Sequence, residues 1–445
     1  MQTGSLKIHV FQGDSYIPLE NAKITVIQDK ETSNRQITQN LSTDSSGITN
    51  EIELEAPSLD YSMKLSDKLP YSLCIITAEV PGYKKLTIKG CQIYPGIQSI
   101  QYCHLNPIST RQNNTEDIIN ISANALIGNY PAKIPESSYP IPLTKPSVNF
   151  AIIDPTRQVN PSTIKVHDGD PNENATEFIE DFKQYFKIVL ASEIYANWPK
   201  ETIKANAIAA MSFTLNRIFT EWYFGKMKKF HITSSTAYDH KYIHGRNTFA
   251  SIDGVVDELF TTYIKKPGYE FPLLAQYRDG LRVPPCSGCL SQWGSKELGD
   301  KGLTDKEILK SYYGSDIILN RITKSENMSE SYPGFPLQIG STGEAVETIQ
   351  KSLNKISTHF PLIPKLTVDG ILGSSTKKAI ETFQSIFNLA KTGTVNYPTW
   401  YKISDIYVGV SGAVRHRGVE KTFIPPFFYG YDYNIPTLTY FDEEY

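Results

Sequence analysis

Residues 182–211 read FKQYFKIVLASEIYANWPKETIKANAIAAM, and this stretch decides the fold of the middle of the chain. Phe178, Phe182, Tyr185, Val189 and Glu193 recur at helical spacing and so share one face. Asn174 and Glu177 have the spacing of a capping box and place the helix start there. The chain breaks at Asn197-Trp198-Pro199, and Pro199 suits the first turn of a second helix. Ile203, Ala207, Met211, Leu215, Ile218 and Trp222 then make a stripe, while Ala205, Ala207, Ala209 and Ala210 allow close packing. The expectation is two packed helices joined at a Trp-Pro corner, with mixed strand and loop following to Leu319.

Upstream the pattern changes from helical spacing to alternation. Leu6-Lys7-Ile8-His9-Val10 and Ala22-Lys23-Ile24-Thr25-Val26 have period two, and Asp44-Ser45-Ser46-Gly47 marks a turn. Further strands are expected at Ile48–Leu54, Tyr71–Val80 and Ile97–Leu105, which predicts a β-sandwich over residues 1–108. Residues 109–165 are rich in Pro, Ser, Asn and Thr and read as a connector, exposed enough for a protease to reach. A mixed domain is expected over residues 166–325 and a third unit over 331–406. In that unit Ile339, Val346, Ile349 and Leu353 predict one helical face, and Ala379, Ile380, Phe383 and Phe387 another. The turn Val368-Asp369-Gly370-Ile371-Leu372-Gly373 lies between them. Residues 407–445 form an aromatic-rich tail without either periodicity. The fold class expected is multidomain α+β.

A chain of 445 residues is long enough for about three domains. Its net charge of −3 lacks the basic surplus that nucleic-acid binding needs. The 27 Tyr and 20 Phe suit β-domain packing and also stacking on sugar rings. Five cysteines are too few and too odd in number for a disulfide framework. No apolar run approaches the length of a transmembrane helix, and the opening MQTGSLKIHVFQ lacks the pattern of a signal peptide.

The third unit resembles the peptidoglycan-binding type 1 family. The matching residues include Leu337, Gly340, Gly343, Val346, Ile349-Gln350, Leu353-Asn354, Val368-Asp369-Gly370, Phe383-Gln384, Gly393 and Thr399-Trp400. The resemblance implies a small three-helix domain whose shallow groove, near Asp369 and Gly370, takes wall peptide or glycan. A helical module used to dock another protein is the plainer alternative. Pro18 through Ala22, Thr43-Asp44 with Gly47, and Pro81-Gly82-Tyr83 resemble carboxypeptidase-regulatory-like or transthyretin-like sandwiches, which implies a scaffold or prodomain.

The middle domain resembles the SpoIID/LytB family of sporulation lytic transglycosylases. Tyr185, Ala191-Ser192-Glu193, Trp198-Pro199, Lys204-Ala205, Ala207 through Ala210, Tyr238-Asp239, Lys241-Tyr242, Ser287-Gly288 and Trp293-Gly294 carry that resemblance. It implies that Glu193 is the catalytic acid, with Lys204, His240, Tyr242, Ser287, Gly288 and Trp293 as substrate contacts. An apolar helical face would favour a protonated Glu193, whereas a capping or ion-pair role is the alternative. Met211 stands where many relatives carry an Arg; if that Arg orients substrate, Lys204, Arg217 or Arg282 would have to replace it, or activity is altered. His240 stands where relatives often have Gln, as a sugar contact or an ordinary surface histidine. Cys286-Ser287-Gly288-Cys289 admits free thiols, a reversible disulfide, or zinc completed by His231, His240 or His244.

The order of units resembles the clostridial spore cortex-lytic enzymes. That implies a cortex peptidoglycan substrate, no obligatory cofactor, and storage as a zymogen cut by a subtilisin-like germination protease. It also implies a place in the cortex or coat region after synthesis in the mother cell. Two other classes stay open, a wall-binding activator of an amidase and a structural coat protein.

Overall fold

The computed structural model describes residues 2–28, 36–108, 115–131, 133–134, 161, 163–220, 222–268, 271–281, 288–322, 332–333 and 335–411. Most of the connector, Arg282, Cys286, Ser287 and the tail beyond 411 lie outside them. The described residues form a multidomain α+β protein.

Alternating side chains build the N-terminal sandwich. Strands β1 (Gln2–Gln12), β2 (Lys23–Gln28), β3 (Ile37–Ser42) and β4 (Ile52–Ala56) precede a one-turn helix, α1 (Asp60–Met63). Strands β5 (Ser72–Glu79), β6 (Lys85–Ile93), β7 (Gln98–Leu105) and β8 (Glu116–Asn120) follow it. One sheet has the order β3-β2-β5-β6-β8 and the other contains β7-β1-β4. Leu6, Ile8 and Val10 of one sheet share a buried cluster with Ile24, Val26, Ile76 and Ile88 of the other. β8 lies in the stretch expected to be connector. It pairs in parallel with β6, Ile88 against Ile119, so the sandwich reaches beyond its expected end.

The middle domain starts with β9 (Thr163–His167) and β10 (Glu177–Asp181), followed by α2 (Phe182–Glu193) and α3 (Lys200–Phe219). The expected cap at Asn174 is not the helix start. Residues 177–181 pair with β9, and the Asp181 side chain caps α2 by accepting from the Gln184 amide at 2.8 Å. α3 does start after Pro199 and is buried on nearly every face rather than along one stripe. Beyond it come β11 (Ile232–Thr233), β12 (Thr248–Phe249), α4 (Ala250–Leu259), β13 (Thr262–Lys265), β14 (Tyr277–Arg278) and β15 (Leu290–Ser291). α5 (Gln292–Asp300), α6 (Asp305–Tyr313) and β16 (Ile318–Arg321) complete the domain. Gly299 brings α5 against α3, since a Cβ there would lie 2.1 Å from Thr202 Oγ1.

Helices α7 (Glu344–Ile356), α8 (Ser374–Ile386) and α9 (Tyr397–Ser411) enclose the third core around Val346, Ile349, Leu353, Ile380, Phe383 and Trp400. Ile339, expected on the first helical face, precedes α7 and is exposed. α9 also runs past residue 406, where the tail was expected to begin.

The sandwich holds both other domains. β12 of the middle domain adds to the edge of β7, Thr248 opposite Ile100. Beside it the buried Asn247 side chain accepts from the Gln92 amide at 3.1 Å and donates to the Gln92 carbonyl at 3.0 Å. The Trp198 indole donates to the Ser62 carbonyl of α1 at 2.8 Å. Phe11 and Ile48 of the sandwich join the apolar cluster of the third domain. Asn247→Ala removes the side-chain acceptor of the buried Gln92 amide and leaves the Gln92 carbonyl with Ser99 Oγ, which donates to it at 2.8 Å. It is expected to cost about 2 kcal/mol, read as a lower midpoint of thermal unfolding.

Candidate functional site

The helix α2 delivers Glu193 as its last residue, and nearly everything around that side chain excludes water. Glu193 is 6% exposed. Oε1 accepts from the Lys241 backbone amide at 2.6 Å, and Oε2 accepts from the Gln292 side chain at 3.2 Å. Gln292 Nε2 also donates to the Glu193 carbonyl at 3.2 Å, which fixes the end of α2 against α5. The Tyr277 hydroxyl is hydrogen-bonded to the same carboxyl. Burial pushes the carboxyl above its ordinary value of 4.5, and the Lys133 charge and the Lys241, Gln292 and Tyr277 donors offset this only in part.

A second layer lies behind Tyr277. Its hydroxyl is 2.6 Å from His240 Nδ1, and the two rings stack within 5° of parallel. His240 Nε2 is 2.9 Å from Thr214 Oγ1 on α3. His240 is wholly buried, and burial holds its imidazole well below the ordinary range. It is therefore neither the surface histidine nor the direct sugar contact considered from sequence. Stacking on Tyr277 and edge contact with Phe213 seal it inside.

The segment before the middle domain reaches into the site. Asn124 Nδ2 donates to the Ala191 and Ile194 carbonyls at 3.2 and 3.1 Å, and the Ala125 amide donates to the Ser192 carbonyl at 2.8 Å. These contacts satisfy carbonyls at the C-terminal end of α2. Lys133 follows, its ammonium 4.3 Å from the Tyr277 ring centroid and 4.4 Å from that of Phe213. The Ile134 amide donates to the Ala237 carbonyl at 2.7 Å and holds that stretch in place.

The other expected contacts are distributed differently. Tyr242 is buried, donating to Glu180 Oε1 at 2.7 Å with its ring against Tyr185. Trp293 packs edge-on against Trp198 with ring centroids 5.1 Å apart, so it builds the Trp-Pro corner. Lys204 pairs with Glu258 at 2.9 Å and Glu201 at 3.2 Å. Gly288 is exposed with φ of +73°, and Ser287 and Arg282 lie outside the described residues. Arg217 is committed to Asp239 at 2.8 Å, both side chains fully buried, so it does not stand in for the arginine replaced by Met211. Met211 itself is buried in the core. Asp369 accepts from Gln350 at 2.8 Å and from the Ile371 amide at 2.9 Å, and the Gly370 amide donates to Gln350 at 2.9 Å. Both residues therefore build the turn.

Sequence reasoning missed Asn124, Lys133, Thr214, Tyr277 and Gln292. Gln292 adjoins the quoted Trp293-Gly294, which was a usable signal. Lys133 sits in a Pro-rich stretch that carries none.

The zinc reading does not fit the described donors. Cys289 is disulfide-bonded, and a disulfide sulfur is no thiolate ligand. Both His240 nitrogens are engaged, His231 Nδ1 accepts from the Lys165 amide at 2.9 Å, and His244 Nδ1 meets Glu180. No group of three His, Cys, Asp or Glu with ligand geometry occurs among the described residues, and Cys286 lies outside them.

Residues 175–258 match the family described as "Stage II sporulation protein", and residues 342–403 match "Putative peptidoglycan binding domain". The first match contains Glu193 and His240, and the second contains α7 and α8. Together they define a protein that acts on peptidoglycan and carries a sporulation-associated domain. No curated protein matches the chain. Among solved structures "The Bacillus anthracis TIE protein" is 19% identical, over 24% of this chain and 17% of that one, with a TM-score of 0.17. The chain thus spans about a sixth of that protein's length, and so slight a likeness carries no argument. No helix among the described residues is long and apolar enough to cross a membrane.

Two measurements test the site. A carboxyl raised by folding stabilises the fold fully below its unfolded value, and that contribution is lost as pH rises through the folded value. Glu193→Gln, whose amide donates as the acid does, is therefore expected to unfold at a higher temperature than wild type near pH 7. The advantage should shrink as pH falls below the ordinary 4.5. Metal analysis of pure protein is expected to find less than about a tenth of an equivalent of zinc.

Proposed function

We propose that the chain is a lytic transglycosylase of spore cortex peptidoglycan, a spore cortex-lytic enzyme of the SleC type. The observation that carries this reading is Glu193, a single desolvated carboxyl at a helix end, held by donors from two other elements. In protonated form it gives its proton to the glycosidic oxygen between muramic acid and glucosamine as the C1–O bond breaks. The resulting carboxylate takes the proton of the muramic C6 hydroxyl, whose oxygen closes on C1 to form the anhydro ring. No water is consumed and the carboxyl ends protonated, so one residue performs both proton transfers. The third domain retains the enzyme on the wall, leaving Glu193 to cut successive bonds.

The same reading includes storage as a zymogen in the cortex or coat region. The mother cell makes the chain, and a subtilisin-like protease cuts the connector at germination. Lys133 supports it. An ammonium from the connector side lies in the site and opposes protonation of Glu193, so its departure favours the acid. A second reading, a wall-binding activator of an amidase, is favoured by the buried Met211 at a position where relatives carry Arg.

Mass spectrometry of cortex digests separates the two. Wild type is expected to release anhydro-muropeptides, and Glu193→Gln to lower their release by about a thousandfold. Reducing-end muramic acid as the product would indicate ordinary hydrolysis. Full lytic activity in Glu193→Gln would support the activator.

A further inference from the structure

A pocket beside Glu193 holds a positive charge against two aromatic rings. The Lys133 ammonium lies 4.3 Å from the ring centroid of Tyr277 and 4.4 Å from that of Phe213, within the range of cation–π attraction. All three side chains are buried, Lys133 at 9% exposure, so water does little to screen that attraction. The rings are held from behind. His240 stacks on Tyr277 and meets Phe213 edge-on, and Phe213 stands on α3. Arg217 also lies 4.7 Å from Phe213, but its charge is paired with Asp239 at 2.8 Å. The chain around Lys133 is tied to the rim. Arg278 donates to the Lys133 carbonyl at 3.3 Å, the Ile134 amide to the Ala237 carbonyl at 2.7 Å, and Thr236 to the Pro131 carbonyl at 3.1 Å. Pocket and carboxyl adjoin, because consecutive residues touch both. His240 Nδ1 lies 2.6 Å from the Tyr277 hydroxyl, and the next residue, Lys241, donates to Glu193 at 2.6 Å. Across the β14–β15 pair Tyr277 faces Leu290, two residues before the Gln292 that donates to Glu193 at 3.2 Å.

We propose that Tyr277 and Phe213 form the subsite for the sugar ring that becomes positively charged during bond cleavage, and that Lys133 fills it in the intact chain as a stand-in for that charge. This rests on the reading of Glu193 as a general acid and deepens it. When the C1–O bond breaks, its electron pair leaves with the glycosidic oxygen, which takes the Glu193 proton. Positive charge is left on C1 and the ring oxygen until the C6 oxygen closes on C1. That charge develops one bond from the oxygen that Glu193 protonates, so it falls beside the carboxyl, where the pocket lies. The neutral sugar before the step and the neutral anhydro product after it gain little from the two rings. The charged transition state gains most, which is the condition for catalysis. Tyr277 and Phe213 are then catalytic residues, and Lys133 and the sugar compete for one place. An ammonium on a wall stem peptide would use the same attraction. The adjoining carboxyl favours the sugar, and kinetics separate the two.

The test uses the full chain. Lys133→Ala empties a space the size of an n-propylammonium ion. That ion is expected to raise the thermal unfolding midpoint of Lys133→Ala saturably and to leave wild type unchanged. The uncharged n-propanol, of the same shape, should leave both unchanged. Equal effects of ion and alcohol on Lys133→Ala, or no effect of the ion, overturn the pocket. In the cortex digest, Phe213→Leu keeps an apolar side chain without the aromatic ring. It should lower kcat for anhydro-muropeptide release by about tenfold with KM little changed. An unchanged kcat overturns the assignment to the sugar, and a raised KM beside it would put a stem-peptide ammonium in the pocket. Should Phe213→Leu fail to fold, Phe213→Met is measured in the same way. Ammonium-selective stabilisation together with a fully active Glu193→Gln would leave the pocket standing while removing the general-acid reading beneath it.

Discussion

The middle domain is arranged around one unfavourable act, the burial of the Glu193 carboxyl at the C-terminal end of a helix. Burial disfavours the charged form, and so does the partial negative charge where α2 ends. The structure meets this with donors from separate places. Lys241 from the loop after β11 and Gln292 from the start of α5 donate to the carboxyl, and Asn124 from the segment after the sandwich donates to the Ala191 and Ile194 carbonyls at the helix end. None is near Glu193 in sequence, so the carboxyl is held only once the whole domain has closed around it.

That dependence explains why the sandwich is more than an appendage. Gln92 and Asn247 clamp it to the middle domain beside β12, and buried Arg246 links Gln92 to Ser192, the neighbour of Glu193. The chain leaving β8 then seals the end of α2 through Asn124 and sends Lys133 over Tyr277. A structural path therefore runs from sandwich to carboxyl. Events in the N-terminal part are in physical contact with the site, as control of a wall-cutting activity by that part would require.

Much of the fold was legible in advance, and of the site the helical position of Glu193. Glu193 on the first helix, Pro199 at the start of the second, and the strands β1, β2, β5 and β7 all follow from periodicity and turn chemistry. Where the reading missed, tertiary pairing outweighed local pattern. The capping pair Asn174 and Glu177 lost to strand pairing of β10 with β9, and the connector gave up β8 to the edge of β6. The β6–β8 ladder joins distant residues, Lys85 opposite Glu116, and the nearer β9–β10 pairing, Glu177 opposite His167, still depends on a partner strand that helical spacing does not register.

The amino-acid order by itself determined which residue types sit where: a carboxyl on an apolar helical face, a Trp-Pro corner, and a C-terminal domain with the glycines its turns demand. Those properties are local, set by spacing and backbone preference. Only the tertiary structure decided what the carboxyl meets. It turned His240 from a candidate sugar contact into a buried link behind Tyr277, and Tyr242 and Trp293 into packing. It also took Lys133 from an unremarked connector into the site. The reason is physical. A carboxyl's proton affinity depends on water exclusion and on donors converging from several elements, and that convergence exists only in three dimensions.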